Sequence, residues 1–226
     1  VTEGLVADFT YNTDFAQVEV DEQQVNLTRF TQFFPEKREF FLEGQGIFVF
    51  GQGRRTFGGG TSNTPVLFFS RRIGLNRGQT VPIRAGGRLT GRAGPYSIGA
   101  LTIQSGEQEI TGAVPTNFSV LRLKRDILRR SNIGVIATRR DPTVVGDADN
   151  LVVGLDTVLS FYENIDFTAY WAKSQTSGLD GGDSSYRAQF EYGGDRYGLQ
   201  LEHLLVDEHF NPEIGFLRRT NFRRSF

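Results

Sequence analysis

The fold is decided by residues 151–161, which read LVVGLDTVLSF. Every second side chain from Leu151 to Phe161 is apolar, with one threonine among them, whereas Asp156 lies among the intervening positions. A period of two is typical of a β-strand whose two faces meet different surroundings. A shift of one residue would exchange these faces, so we expect Leu155 and Asp156 to lie on opposite sides of a sheet.

Similar alternating stretches follow one another from Ile83 onward. They cover residues 83–92, 96–105, 117–128, 132–140, 165–174, 186–192, 196–204 and 213–222. The connections between them alternate strictly in length. The short ones are 94–95, 129–131, 163–164 and 193–195, and the long ones are 106–116, 141–150, 175–185 and 205–212. Short turns at one end and long loops at the other are typical of outer-membrane barrels, whereas a soluble sandwich would mix the lengths.

Tyrosines lie at the ends of these stretches, next to turns. They are Tyr96, Tyr162, Tyr186, Tyr192 and Tyr197. A tyrosine ring prefers the level of the lipid head groups, where its body is buried and its hydroxyl is wet. We interpret these residues as an aromatic girdle, although tyrosine also has an ordinary preference for strands.

The N-terminal part of the chain is less regular. Residues 5–12 and 66–72 alternate as strands do, and 15–20 is a candidate for another strand. Residues 21–34 have the apolar spacing of a short amphipathic helix, with Asp21 as its N-cap, and Pro35 ends it.

These patterns predict an all-β protein. We expect an antiparallel up-and-down transmembrane β-barrel with about twelve strands in this chain, which is itself part of a larger barrel. Residues 1–226 then form a single barrel domain, and residues 21–64 are a helix and loop inserted near its N-terminus.

The inserted segment contains a block that mixes charges with aromatic rings. Its most distinctive residues are Phe34, Pro35, Glu36, Lys37, Arg38, Phe40 and Phe41. Charges at four successive positions, 36–39, cannot all point away from lipid, and the phenylalanines need a protein surface to pack on. We therefore predict a plug inside the barrel or a rim across its mouth, with Arg84, Arg88 or Glu191 as its partners.

Charged residues recur on one face of several predicted strands. They are Arg84, Arg88, Arg92, Arg122, Lys124, Asp126, Arg187, Glu191, Arg196 and Glu202. A charge that faces lipid costs several kcal/mol near the midplane, so we expect these side chains to face the lumen. Two interpretations stay open. An arginine-lined lumen could guide anionic or sugar ligands, or ion pairs could simply fill a narrow interior, which we favour.

The composition excludes several classes of protein. Its 226 residues include 25 Lys+Arg and 26 Asp+Glu, so bulk positive charge cannot drive nucleic-acid binding. No Cys and only two His are present, which excludes thiolate zinc sites, Cys nucleophiles and multi-His metal centres. No run of 18 apolar residues predicts a transmembrane helix. The absence of Met indicates a mature piece or a fragment of a longer product, and we predict no cofactor.

Two further clusters contain residue types that could serve hydrolysis or bind a metal ion, but we do not predict either function for them. The residues His203, Asp207, Glu208 and His209 could serve a hydrolase, but no Ser lies in a nucleophile-elbow context. Loop oxygens that could bind Ca²⁺ come from Asp141, Asp147, Asp149, Asn150, Asp180 and Asp183. Their spacing is not that of an EF-hand, so we interpret them as solvated and predict no catalytic residue and no metal site.

Several segments resemble a known bacterial family. The segments are DFAQVEVD at 14–21, VNL at 25–27, FFPEKREFFLEG at 33–44, LFFSRRIG at 67–74, AGGRLTGR at 85–92, NFSVLRLKRDIL at 117–128 and NPEIGF at 211–216, so the likeness covers essentially the whole chain. In these segments the chain resembles outer-membrane β-barrel domains of unknown function, which typically follow a domain like the family-9 carbohydrate-binding modules. The block around Pro35 is the most specific part of the resemblance.

The resemblance implies a location in the bacterial outer membrane, in contact with its lipid. It also implies that a carbohydrate-binding domain of the same gene product precedes this chain, and that further strands follow it. It offers no catalytic residues. We therefore expect a barrel without catalysis of its own that takes part in uptake, docking or display of a carbohydrate-type ligand. The alternatives are an outer-membrane-anchored hydrolase that acts on glycans, and a structural anchor for a carbohydrate-binding partner domain.

Overall fold

The computed structural model of the protein describes six parts of the chain. They are residues 4–13, 35–52, 63–76, 79–144, 146–179 and 181–226. The helix predicted at 21–34, the strand predicted at 15–20 and the residue Phe34 lie outside these ranges.

Strands dominate the described residues, and the α-helix there is the single turn Glu39–Leu42. The strands are β1 Leu5–Thr13, β2 Leu75–Asn76, β3 Gln79–Thr80, β4 Ile83–Ala93, β5 Tyr96–Ser105, β6 Asn117–Leu128, β7 Ser131–Asp141, β8 Asn150–Phe161, β9 Ile165–Thr176, β10 Ser184–Gly193, β11 Gly198–Val206 and β12 Phe222–Ser225. No helix in these ranges has the length and the apolar content that a membrane span requires.

Ten of the strands form one sheet in the order β1-β4-β5-β6-β7-β8-β9-β10-β11-β12, and β2 and β3 form a separate hairpin. All neighbours in the large sheet are antiparallel. The prediction of an all-β antiparallel meander is confirmed. Within the described ranges β1 and β12 are the two edges, with no pairing between them, so the sheet is open.

The predicted alternation of connection lengths is confirmed from β4 to β12. The short connections are 94–95, 129–130, 162–164 and 194–197, and the long ones are 106–116, 142–149, 177–183 and 207–221. Because successive strands are antiparallel, all short connections lie at one end of the sheet and all long ones at the other. We call these the short-connection end and the long-connection end.

The two faces of the sheet differ in burial, as the sequence predicts. In β8 every second side chain from Asn150 to Val158 is buried, while Leu155 is 53% exposed and Asp156 is 8% exposed. We call the face that carries Asp156 the inner face and the opposite one the outer face. Leu155 and Asp156 do lie on opposite sides, so this prediction is confirmed.

Two predicted strands are wrong. In 66–72, Val66 makes an isolated bridge to Phe216, and Ser70–Arg72 is a turn of 3-10 helix. In 213–222, only Phe222 belongs to a strand. The middle of each segment lies in the interior, where Leu67 and Ile214 are fully buried. In these segments the apolar residues pack in the core without forming a strand. Their alternation with polar residues resembles the period of a strand, but no strand pairing causes it.

The hydrophobic core lies between the inner face and the segments 35–52, 63–76 and 207–217. Phe50 packs on Tyr170 of β9, with ring centroids 5.4 Å apart. Glycines on the inner face make room for these rings. An ideal Cβ on Gly99 would lie 2.9 Å from Phe48 Cε1, and one on Gly154 would lie 2.6 Å from Phe50 Cζ.

The close approach at Gly154 predicts a loss of stability on adding one methyl group. We expect Gly154→Ala to lower the free energy of unfolding by about 1–3 kcal/mol, because overpacking displaces rings that already fill the space. The measurement is the urea concentration at the midpoint of unfolding, monitored by the fluorescence of Trp171, the single Trp of the chain. Gly46→Ala is the matched control, since its ideal Cβ meets nothing within 4 Å. Equal midpoints for the two variants would contradict this packing.

Candidate functional site

Residues 35–52 cross the inner face of the sheet, and we call them the crossing segment. Its helical turn contacts β4, where Arg88 Nη2 lies 2.8 Å from Glu43 Oε2. Phe48 lies over Gly99 of β5. At its far end Gly51 reaches Arg187 of β10. The segment therefore runs roughly across the strands rather than along them.

Three arginines of the sheet hold the crossing segment by its backbone. Arg88 donates to the carbonyl oxygens of Phe40 and Glu43, the latter at 2.6 Å. Arg122 Nη2 donates to Val49 O at 3.0 Å. Arg187 Nη1 donates to Gly51 O at 3.4 Å. A guanidinium has five donors in a fixed fork, so one arginine can bind a carbonyl and a carboxylate together.

Each of these arginines also pairs with a carboxylate. Those partners are Asp8 and Glu43 for Arg88, Asp156 for Arg122, and Glu202 for Arg187. The Arg122–Asp156 pair is bidentate, with distances of 2.7 and 2.8 Å. Asp156 Oδ2 also accepts the Gly51 N–H at 3.0 Å. Burial of these charges is compensated because each one is both paired and hydrogen-bonded.

Gly134 permits the central ion pair. Arg122 lies on β6 and Asp156 on β8, so the pair passes over β7 between them. An ideal Cβ on Gly134 would lie 2.7 Å from Arg122 Nη1 and 2.8 Å from Asp156 Oδ1. A Cβ at this position would therefore force Arg122 Nη1 and Asp156 Oδ1 to shift.

A second buried ion pair fixes the start of the crossing segment. Arg38 donates to Glu36 from Nε at 2.8 Å and from Nη2 at 2.7 Å, and Ser70 Oγ donates to the same carboxylate at 2.6 Å. Burial acts to raise the pKa of Glu36. The hydrogen bonds and charge of Arg38, with the Ser70 hydroxyl, outweigh burial and lower this pKa from 4.5 to about 2. Arg38 also donates to Ile73 O at 2.7 Å and stacks over Phe41.

The other residues of the predicted plug block differ in their surroundings. Phe40 is half-buried beneath Arg88, with 5.2 Å between its ring centroid and the guanidinium carbon. Pro35 and Lys37 are exposed. The block thus buries Glu36, Arg38 and Phe41 and leaves Pro35, Lys37 and Glu39 exposed.

Most of the predicted charged ladder lies on the inner face. By alternation and pairing these residues are Arg88, Arg92, Arg122, Lys124, Asp126, Arg187, Glu191 and Glu202. Gln189 links Arg187 to Glu191 by side-chain hydrogen bonds.

Two predicted members of the ladder depart from it. The register of β4 shifts between Ile83 and Ala85, so Ile83 takes the inward place opposite Ser105 and Arg84 is exposed. Such a β-bulge reverses the alternation beyond it. Arg196 lies in the connection 194–197 and is exposed, so it occupies no strand position.

A charged cavity of about 370 Å³ opens on the inner face toward the short-connection end. We call it the cationic cavity. Its charged lining is Arg92, Arg122, Lys124, Asp126, Arg129, Arg130 and Asp156. Arg129 and Arg130 form the connection between β6 and β7 and were not among the residues singled out from the sequence.

The two histidines of the remaining candidates bond to different parts of the chain. His203 Nδ1 lies 2.7 Å from Ser225 Oγ at the edge of the sheet, and His209 Nδ1 lies 2.8 Å from Gly181 O. In the part of the chain that the structure covers, no group of three or more His, Asp or Glu side chains could hold a metal ion. Asp180 lies outside that part.

The sequence did not reveal which carboxylates pair with the arginines. Asp8, Glu43 and Asp156 are separated from their partners by 34 or more residues along the chain. Only local features of the sequence mark the residues of these pairs. Asp8 and Asp156 lie on the polar faces of their strands, and Gly134 leaves a gap in the row of side chains on one face of β7.

Comparison with known proteins adds one finding. Residues 1–86 match the family model described as "Domain of unknown function (DUF5916)". This match includes the whole crossing segment and β1, and it supports the resemblance to an uncharacterised domain family. No curated protein and no solved structure is similar enough to this chain to count as a match.

The buried Arg122–Asp156 pair predicts a strong dependence of stability on one carboxylate. We expect Asp156→Asn to lower the free energy of unfolding by about 3–5 kcal/mol, because it leaves Arg122 buried without an opposite charge. Asp126→Asn is the matched control. Asp126 pairs with Arg92 at 3.5 Å in the open, so its loss should cost less than about 1 kcal/mol. Urea midpoints measure both, and a small effect at Asp156 would contradict the central role of the pair.

Proposed function

We propose that this chain is the wall of an outer-membrane β-barrel whose interior holds the crossing segment. In this proposal it anchors or displays a ligand-binding partner and has no catalysis of its own. The observation that carries the proposal is the distribution of polarity: charge is buried on the inner face, and apolar side chains are exposed on the outer face.

The outer face is apolar over several adjacent strands. The outward positions of β8, β10 and β11 include no Asp, Glu, Lys or Arg, and those of β9 between them include one charge, Lys173, near the long-connection end. Leu121, Leu155 and Leu201 are each more than half exposed, and Trp171 is 43% exposed. Contiguous exposed apolar surface of this kind marks contact with another protein or with lipid.

The height of the apolar band suits a bilayer. In β8 the outward positions run from Leu151 to Phe161. Ten steps along a strand span about 33 Å, or about 25 Å when the strand is tilted by roughly 40°. That height is close to the apolar band of known outer-membrane barrels, which supports lipid rather than a protein partner as the covering medium.

The positions of the tyrosines along the strands also support a sheet that spans a bilayer. Tyr96, Tyr162, Tyr192 and Tyr197 lie at the short-connection end, and all are at least one third exposed. Tyr186 lies instead near the long-connection end. Two levels of aromatic side chains are typical of the two membrane interfaces.

The occupied inner face favours an anchor or a display platform over an open uptake pore. The crossing segment is bound through its backbone by arginines from β4, β6 and β10. Removing it would leave these donors without their carbonyl partners. The carbohydrate-type ligand and the preceding carbohydrate-binding domain are proposed from the family resemblance. No observation on the described residues favours the hydrolase alternative.

Membrane insertion is testable with the native fluorophore. Trp171 is the single Trp and points outward, so we expect lipids with brominated acyl chains to quench it strongly and aqueous iodide to quench it weakly. Val49→Trp in a Trp171→Phe background is the control, because Val49 is 40% exposed on the crossing segment and should show the opposite response. If iodide quenches Trp171 and brominated lipids do not, in vesicles that retain the protein, the proposal is wrong.

The filled interior predicts an absence of steady conductance. We expect the folded chain in planar bilayers to give no long-lived open channel. Arg122→Ala combined with Asp156→Ala removes both charges together, so no unpaired charge remains, and should release part of the crossing segment and produce intermittent openings. Arg92→Ala with Asp126→Ala removes an inner-face pair without contact to the segment and should stay closed. Steady openings in the unaltered protein would favour the uptake pore.

A further inference from the structure

We propose that the cationic cavity binds a phosphate group, carried by a small soluble ester or by a lipid head group. This inference goes beyond the proposed function, because the charged side chains that carry it belong to the sheet and its short connections; Val49 and Gln52 of the crossing segment complete the lining. The cavity lies next to the Arg122–Asp156 pair and opens at the short-connection end.

The first argument is charge. The lining holds five cations and two carboxylates. Asp156 is occupied by its bidentate pair with Arg122, and Asp126 lies 3.5 Å from Arg92. Lys124, Arg129 and Arg130 have no carboxylate within ion-pair distance in the described part of the chain. The cavity therefore has a net positive charge that an anion would neutralise.

The second argument is the state of the buried donors. Arg122 is fully buried and lines the cavity, and its Nε has no hydrogen-bond partner among the described residues. Lys124 is half-buried on the same face of β6, two residues along. Arg122 Nε is closed off from solvent, so a ligand in the cavity would meet the Lys124 ammonium and the exposed guanidinium groups of Arg129 and Arg130, while Arg122 adds positive charge to the lining.

The third argument is the match between donors and ligand. Guanidinium groups bind phosphate through paired N–H donors, and an ammonium adds a compact positive charge. The volume of about 370 Å³ is near the lower limit for small-molecule sites, which run from about 300 to 1,000 Å³. A phosphate ester of modest size suits this space, as does a head group that enters from the short-connection end.

Neighbouring residues of β6 provide a matched pair of variants. Lys124 and Arg125 are adjacent and carry the same charge, but they face opposite sides of the sheet. Arg125 lies over the outer ring of Tyr96, 5.6 Å from its centroid. Lys124→Gln and Arg125→Gln therefore change net charge equally, but only Lys124→Gln removes a charge from the cavity. Arg129→Gln is a second cavity variant, placed in a connection where no strand hydrogen bond is at risk.

The experiment is isothermal titration calorimetry of the folded chain in a non-ionic detergent. One arm titrates pyrophosphate, and the other titrates mixed micelles that contain phosphatidylglycerol. Far-ultraviolet circular dichroism checks that each variant is folded. We expect Lys124→Gln and Arg129→Gln to weaken binding about tenfold or more, as for loss of a charged hydrogen bond, and Arg125→Gln to change it by less than about twofold.

The arms separate the two sources of phosphate. Binding of pyrophosphate identifies a site for soluble esters, and binding of the lipid micelles alone identifies a head-group site. Equal weakening by Arg125→Gln would show attraction to general surface charge and would overturn the proposal. An absence of heat in both arms with the unaltered chain would overturn it as well.

Discussion

The structure depends on arginine charge that is buried on the inside of a sheet. A guanidinium away from water must have its donors satisfied, and a carboxylate alone cannot occupy all five of them. In this protein Asp8, Asp156 and Glu202 supply the charge, and the backbone of the crossing segment supplies additional acceptors. The wall and the segment therefore stabilise each other, and neither provides a satisfied interior by itself.

This arrangement departs on both faces from the usual distribution of polarity in a globular protein. Charged side chains such as Arg88 and Arg122 are buried beside the hydrophobic core, while leucines such as Leu155 and Leu201 are exposed. Water is a poor medium for the outer face, and lipid would be a poor medium for the inner one. The two faces together define what the sheet requires on each side: within, a filling that combines apolar packing with hydrogen-bonding groups, and outside, an apolar surrounding.

Much of the fold could be predicted from the sequence because its signal is local. A period of two with regularly spaced turns located β4 to β11, and it placed Leu155 and Asp156 correctly. The same reasoning failed where alternation has another cause: at 66–72 and 213–222 it reflects interior packing, and at Arg84 a bulge interrupts it. The ion pairs could not be predicted, because partners such as Arg122 and Asp156 meet only through a register shared by three strands.

The pairing of β1 with β4 has a consequence for how the chain folds. Thr13 lies opposite Ile83, so the connection between these strands is long and contains the crossing segment. Closing such a loop is slower and entropically costlier than forming a hairpin like β4–β5. The meander from β4 onward can form from local contacts, whereas Arg122 and Arg187 acquire their carbonyl partners only when the segment arrives. Threading this segment against the wall is therefore a late and cooperative step, and it completes β1 and the interior together.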